Sequence, residues 1–358
     1  MTNHFLSLIA FLVPTINQKT MPYNANPGRY DVEKNYVPCG KSSLLLPRIS
    51  LGLWHNFGGS DDFQNSKKLL EYAFDQGITH FDLANNYGVP PGSAEENFGK
   101  IVRSSFVNHR DEIIVSTKAG HRMWEGPYGD GSSRKNLIAS INQSLKRLQL
   151  DYVDIFYSHR YDGVTPIEET MQTLIDIVKS GKALYVGLSK YPPEIAEKCY
   201  SYLALQGVHC LIYQDRYSML SRKVESGALE VAHKNGVGFC AFSPLAQGLL
   251  TNRYLNGIPT DSRIARSSFL KKEQLTPEHL NVIEQLNTLA QQLGLSLAQM
   301  AINWLLSKPQ VTTVLIGASS VNQLKDNLQS LQDPILDADT LLRIQDILAA
   351  YPAQQPTK

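Results

Sequence analysis

The chain has little of what marks the special classes of protein. Its four cysteines, Cys39, Cys199, Cys210 and Cys240, form no CxxC pair and no metal-ligand spacing with the nine histidines. A disulfide scaffold and a metal site are therefore not expected, and the thiols read as reduced groups in a cytoplasmic protein. Net charge is also scarce: 34 Lys and Arg against 33 Asp and Glu leave +1. Without a basic field, nucleic acid is not an expected partner, and a small molecule is. Long apolar runs are missing too. The run from Phe5 to Val13 falls far short of the roughly 20 residues that span a bilayer. No Lys or Arg precedes it and no small-residue cleavage site follows, so a secretory signal is disfavoured. Residues 1–28 read as a poorly ordered extension, or as a segment ahead of a start at Met21. Finally, no GxGxxG follows an early strand, which counts against a doubly wound dinucleotide-binding sheet.

What is present is a chain of 358 residues, 42% hydrophobic and 19% charged, with material for one large core. A hairpin-like pattern comes first, with Val37-Pro38-Cys39 and Leu44-Leu45-Leu46 separated by Gly40 to Ser43. Strand signals then recur at Ile49 to Leu53, Ile78 to Leu83, Ile113 to Thr117, Val153 to Ser158, Ala183 to Leu188, Cys210 to Tyr213, Gly238 to Phe242 and Thr313 to Ile316. Helical patterns lie between them, including Ile138, Ile141, Leu145 and Leu148 on one face with Ser132 or Ser133 as cap. Eight strands alternating with helices predict an α/β fold, a (β/α)8 TIM barrel with an N-terminal β-hairpin and extra C-terminal helices. The barrel domain is expected over 29–350, with a tail at 351–358. Two places break the rhythm. Ser243 to Gln274 is a long connection rich in Gly, Ser and Arg, expected to act as a covering loop. Pro277 to Leu293 and Ser296 to Ser307 are two helical patterns where one would do, so one is the barrel helix and the other an extra.

The stretch Thr79-His80-Phe81-Asp82-Leu83-Ala84-Asn85-Asn86-Tyr87-Gly88 ends an apolar run in an acid, two amides and a tyrosine. A carboxylate buried at such a strand end must be paired. Barrel chemistry gathers at the carboxyl ends of the strands, and these ends are polar: Trp54-His55-Asn56, Asp82 and Tyr87, Thr117-Lys118, Ser158-His159-Arg160, Ser189-Lys190, Gln214, Ser243-Pro244 and Gly317-Ala318-Ser319. Lys118 would supply the partner that Asp82 needs, and a cation beside Tyr87 would lower the phenol's pKa from about 10. Alone, Asp82 could cap a helix, His159 could be structural and Lys118 a solvated strand end. Together the four read as a proton-transfer site.

These residues also carry a resemblance. Gly77 to Gly88, Ser116-Thr117-Lys118, Tyr157-Ser158-His159-Arg160, Ser243 to Leu250 and Leu315 to Ser319, in this order, resemble the aldo-keto reductases over nearly all of Tyr30 to Leu348. Leu51 to Gly58, Pro90 to Glu95 and Gly126 to Gly129 are similar to a bacterial branch acting on glyceraldehyde 3-phosphate, itself similar to the potassium-channel β-subunits. The resemblance implies an NADPH-dependent oxidoreductase. Tyr87 would be the general acid, Lys118 would depress its pKa, Asp82 would hold Lys118, and His159 would orient the carbonyl. For the cofactor it implies Ser189 and Gln214 on the carboxamide, and Trp54 and Lys190 beside them. Ser243, Pro244, Leu245, Gln247 and Gly248 would line the pyrophosphate, with the long loop closing over it. Gly317, Gln323, Asp326 and Asn327 would meet the adenosine end, and Arg253, Arg263 and Ser319 the ribose phosphate. Many relatives have Asn in place of Lys190 and most have Glu in place of Asp326. The aldehyde would meet Trp54, Trp124, Tyr128 and Arg160, with Arg160 or Lys190 for an anionic group. L-Glyceraldehyde 3-phosphate and methylglyoxal-like carbonyls are the expected substrates. Two other classes stay open: a cofactor-sensing channel subunit, disfavoured because the β-subunits place Asn where His159 stands, and a Schiff-base aldolase on Lys118, disfavoured by Asp82. A homo-oligomer is compatible with this reading.

Overall fold

A computed structural model describes residues 23–31, 35–255, 257, 276–332 and 336–351. The expected extension before Met21 and the tail after residue 351 lie outside the described residues. A hairpin of β1 (Tyr36–Pro38) and β2 (Leu45–Pro47) leads into eight parallel strands: β3 (Ile49–Gly52), β4 (His80–Asp82), β5 (Ile114–Ala119), β6 (Val153–Ser158), β7 (Ala183–Ser189), β8 (Cys210–Arg216), β9 (Gly238–Phe242) and β10 (Thr313–Ile316). They close in the order β10-β3-β4-β5-β6-β7-β8-β9. Strands enclosed on both faces need apolar residues at nearly every position, and β6 is buried throughout.

The helices are α1 (Phe63–Asp75), α2 (Ser93–Ser105), α3 (Arg134–Leu148), α4 (Ile167–Lys179), α5 (Pro193–Leu205), α6 (Ala228–Lys234), α7 (Pro277–Gln292), α8 (Leu297–Leu306), α9 (Val321–Gln329) and α10 (Ala338–Ala349). Their starts follow side-chain caps: Asp62 for α1, Ser133 rather than Ser132 for α3, and a capping box of Ser296 and Gln299 for α8. Of the two consecutive helical patterns, α8 is the barrel helix, packed on β10 and α9, while α7 lies outside it against α10. Among the described residues no helix is long and apolar enough to cross a membrane.

The hairpin closes the amino-terminal end of the barrel. Lys41 N–H donates to Gly236 O at 2.8 Å, and the buried Cys39 thiol meets Leu211 O at 3.4 Å. A Cβ on Gly40 would fall 2.1 Å from Gly236 O, so only glycine, here at φ 59°, permits this approach. Residues 23–28, grouped with the extension in the sequence, are fastened to α1. Tyr23 hydroxyl and Asn26 N–H both donate to Asp75, at 2.7 and 2.8 Å, and Ala25 enters the core.

Inside the barrel Tyr157 lies fully buried against Gly187, where a Cβ would come within 2.4 Å of the ring. The Gly187→Ala variant should therefore lose about 1–3 kcal/mol through overpacking, seen as a lower urea midpoint. An unchanged midpoint would mean that Tyr157 can move aside.

Candidate functional site

Asp82 closes β4 and Lys118 sits near the end of β5, on adjacent strands of the barrel, and both side chains are fully buried. Lys118 Nζ donates to Asp82 Oδ2 at 2.5 Å and to Leu83 O at 2.6 Å. Asp82 Oδ1 accepts from Ser116 Oγ at 2.6 Å and Gln214 Nε2 at 3.2 Å. Burial, the largest single influence, would discharge Lys118, but the charge and hydrogen bond of Asp82 together with Tyr87 outweigh it and raise the ammonium's pKa above the ordinary lysine value. The same ammonium stands 5.1 Å from the centre of the Tyr87 ring and 5.5 Å from that of Tyr157. Burial raises the Tyr87 phenol and Lys118 pulls it down, with a net upward direction. The lowering expected from the sequence is thus corrected: the pull exists, but desolvation exceeds it and keeps the proton on Tyr87.

A buried hydrogen-bonded chain runs below this pair. Thr313 Oγ1 and Ser50 Oγ are 2.6 Å apart, Ser50 Oγ lies 2.8 Å from His80 Nδ1, and His80 Nε2 lies 2.9 Å from Ser116 Oγ. An ionised Asp82 can only accept, so Ser116 donates upward and receives from His80 Nε2–H. His80 Nδ1 then accepts from Ser50, whose oxygen accepts from Thr313. Burial holds His80 down to about 4, and the neutral ring this requires is the one the chain needs. The sequence reading passed over His80 and Ser116. Their alternation with Phe81 and Thr117 was the available signal, because it points them to Asp82's side of the sheet.

Around the mouth, Trp54 is 36% exposed and lies 6.2 Å from Tyr87, ring to ring. His159 meets Tyr87 edge-on at 6.0 Å and His121 edge-on at 4.4 Å. Burial and then Lys118 hold the His159 imidazole well below its ordinary value, and among the described residues its Nδ1 has no partner. His121, also missed in the sequence, follows the end of β5 by two residues and takes Lys190 Nζ at 3.3 Å on its Nε2. Arg160 is brought to the mouth, but its guanidinium is engaged: Nε donates to Gly120 O at 3.0 Å and Nη2 to Asp130 at 2.8 Å. Trp124 is half-buried and Tyr128 59% exposed. Among the described residues neither makes a ring contact with Trp54, Tyr87 or His159.

The opposite side of the mouth is strained. Lys190, Ser243, Ala246 and Gln247 adopt φ of 55, 55, 46 and 61°, left-handed without being glycine, a conformation that costs energy and collects at working sites. Ser243, Pro244, Leu245, Gln247 and Gly248 share one tight turn, closed by Gly248 N–H to Leu245 O at 2.8 Å. Ser189 Oγ, Gln247 Oε1 and Asn327 Nδ2 are buried with no partner among the described residues. Gln323 Oε1 accepts from Ser319 N and Oγ, at 2.9 and 3.0 Å, while Asp326 is taken by Gln299 at 3.0 Å. Gly317 is exposed beside open space. Arg253 is exposed after the turn, and Arg263, with most of the long loop, lies outside the described residues. Among the described residues no group of three or more His, Cys, Asp or Glu could hold a metal ion.

His80 and His121 both stand at about 4, against about 6.5 in an unfolded chain. As pH falls from about 6.5 to 4 the unfolded chain binds more protons, so stability is lost on acidification. The urea midpoint should drop across this window. His80→Asn should reduce the total stability lost across this window by up to roughly 3 kcal/mol, and an unaltered loss would remove His80 from this account.

The Aldo/keto reductase family model matches residues 48–349. Over 334 residues, 92% of this chain and 96% of the relative, the sequence is 54% identical to the L-glyceraldehyde 3-phosphate reductase of Escherichia coli (strain K12), and 53% to that of Escherichia coli O157:H7. It is 36% identical over 325 residues, 88% of this chain and 97% of the relative, to a protein of Oryza sativa subsp. japonica named "Probable voltage-gated potassium channel subunit beta". Aldo-keto reductases generally use a nicotinamide dinucleotide. A closed parallel barrel, a buried lysine–aspartate pair under a tyrosine, and a match over almost the whole barrel lead to one conclusion: the chain belongs to the aldo-keto reductase family and is an oxidoreductase.

Proposed function

We propose that the protein is a cytoplasmic, NADPH-dependent reductase of small aldehydes, with L-glyceraldehyde 3-phosphate as the leading substrate and methylglyoxal-like carbonyls as further ones. The observation that carries the reading is the fully buried Lys118–Asp82 pair beneath a Tyr87 whose proton is retained. The names of the E. coli relatives support the substrate, at 53 and 54% identity.

In this reading Tyr87 gives its proton to the carbonyl oxygen as negative charge develops there. Lys118 then stabilises the phenolate left behind, and Asp82, Ser116 and Leu83 O keep that ammonium in place. His159, neutral beside Tyr87, orients the carbonyl without adding charge. Trp54 covers the reacting centre. The bound nicotinamide dinucleotide supplies hydride. The buried unpartnered atoms of Ser189, Gln247 and Asn327 fit the needs of such a polar ligand, since a buried polar atom left without a partner costs about 1–3 kcal/mol. Gln214, Pro244, Leu245, Gly317, Gln323 and Asp326 complete the proposed cofactor contacts. Similarity to channel β-subunits supports a second reading, a cofactor-sensing subunit, but a histidine at 159 favours catalysis.

Tyr87→Phe should lower kcat by about 10²–10⁴-fold while cofactor Kd, read by fluorescence quenching, stays near wild type. Retention of a large share of kcat would sink the assignment. Lys118→Met should damage kcat similarly, and borohydride with an aldehyde should trap no adduct on wild-type Lys118. A trapped adduct would revive the aldolase reading. Cofactor choice has its own test. NADPH differs from NADH by one ribose phosphate, and losing a charge-assisted contact costs about 1.5–3 kcal/mol, roughly tenfold or more. Replacing both Arg253 and Arg263 by alanine should weaken NADPH at least about tenfold and barely alter NADH, and equal losses would place the phosphate on other residues.

A further inference from the structure

At the edge of the mouth an ammonium stands without a counterion among the described residues. Lys190 leaves the end of β7 in a left-handed conformation, φ 55°, which turns its side chain toward the strand ends, 3.3 Å from His121 Nε2 and 5.6 Å from the centre of the Phe242 ring. An ammonium can only donate, so His121 accepts on Nε2 and carries its proton on Nδ1. Among the described residues no carboxylate forms an ion pair with Lys190. Asp215, the acid that acts on it through space, instead receives Arg216 N–H at 2.7 Å and Tyr213 hydroxyl at 3.1 Å. Arg160, the other cation here, is paired with Asp130 and tied to Gly120 O, one residue before His121. It fixes the His121 loop and has little left to offer a ligand.

We propose that Lys190 and His121 together hold the phosphate group of a phosphorylated aldehyde, a subsite that rests on the reductase reading above. The spacing suits this role. His121 is one ring contact from His159, and His159 one from Tyr87, so a carbonyl held between Tyr87 and His159 carries a phosphate a few bonds away toward His121. The electrostatics suit it as well. Burial, then Lys118, with Arg216 and Arg160 adding to it, lowers Lys190 to about 8 against the opposing pull of Asp215. Burial, then Lys190 and Arg160, lowers His121 to about 4, with Asp130 opposing. Both groups are crowded by positive charge, and a dianion placed against them relieves that crowding while gaining charge-assisted hydrogen bonds from the ammonium.

The test compares kcat/KM for L-glyceraldehyde 3-phosphate with that for L-glyceraldehyde under saturating NADPH. The ratio cancels effects on cofactor or chemistry that both aldehydes share. Lys190→Met should lower this ratio at least about tenfold, and His121→Phe should lower it in the same direction by less. In the wild type the ratio should also fall as pH rises through about 8, where Lys190 loses its proton, and this fall should vanish in Lys190→Met. An unchanged ratio overturns the proposal. An unchanged ratio with a parallel rise in NADPH Kd overturns it too, and assigns the ammonium to the cofactor's pyrophosphate. If the wild type reduces neither aldehyde, the reductase reading fails, and calorimetric binding of glycerol 3-phosphate to the full-length protein decides the subsite. Binding lost in Lys190→Met supports it, and equal or absent binding in both proteins refutes it.

Discussion

The ion pair of Lys118 and Asp82 is the constraint around which the barrel mouth is built. Each ion loses several kcal/mol of hydration on burial, which mutual attraction alone recovers only with good geometry and every remaining polar site satisfied. Here Asp82 takes Lys118, Ser116 and Gln214, and Lys118 spends a second proton on Leu83 O. Removing either partner leaves a bare charge in the interior, so β4 and β5 must hold register to the ångström. The backbone supplies this: His80, Phe81 and Asp82 pair with Ile114, Val115 and Ser116.

Much of this was legible in the sequence. Parallel strands buried on both faces write continuous apolar runs, which is why β6 and β9 fall on their expected bounds, and α4 shows a helical face flanked by acidic and basic turns. The four residues at the strand ends stood out because polar groups interrupt those runs. What was not legible depended on direction and on competition. Nothing linear says that Arg160 would be claimed by Asp130, that Gln299 would take Asp326, or that His121 would lean on His159. The phenol's proton affinity was misjudged for a similar reason: the ammonium was visible in the sequence, whereas the depth of burial opposing it was not.

The strained backbone follows the same division of labour. Left-handed non-glycine residues at Asn56, Lys190, Ser243, Ala246 and Gln247 all follow barrel strands at the mouth, and one more, Gln149, merely caps α3. The rigid barrel and its packed helices hold these residues in place, and the strain aims side chains at one small volume.

The polarity of the buried chain from Thr313 to Asp82 has an electrical meaning. Every hydrogen bond in it points toward the carboxylate, so protons could shift upward only if Thr313 were left as an alkoxide on the barrel floor, where the Cys39–Gly236 side of the hairpin closes over the strands. That ion is too unstable to form in such surroundings. The chain therefore works as an insulator and not as a wire: it props up the charge above it and denies it any ground connection through the base. Whatever protons are exchanged at the pair must enter and leave by the mouth.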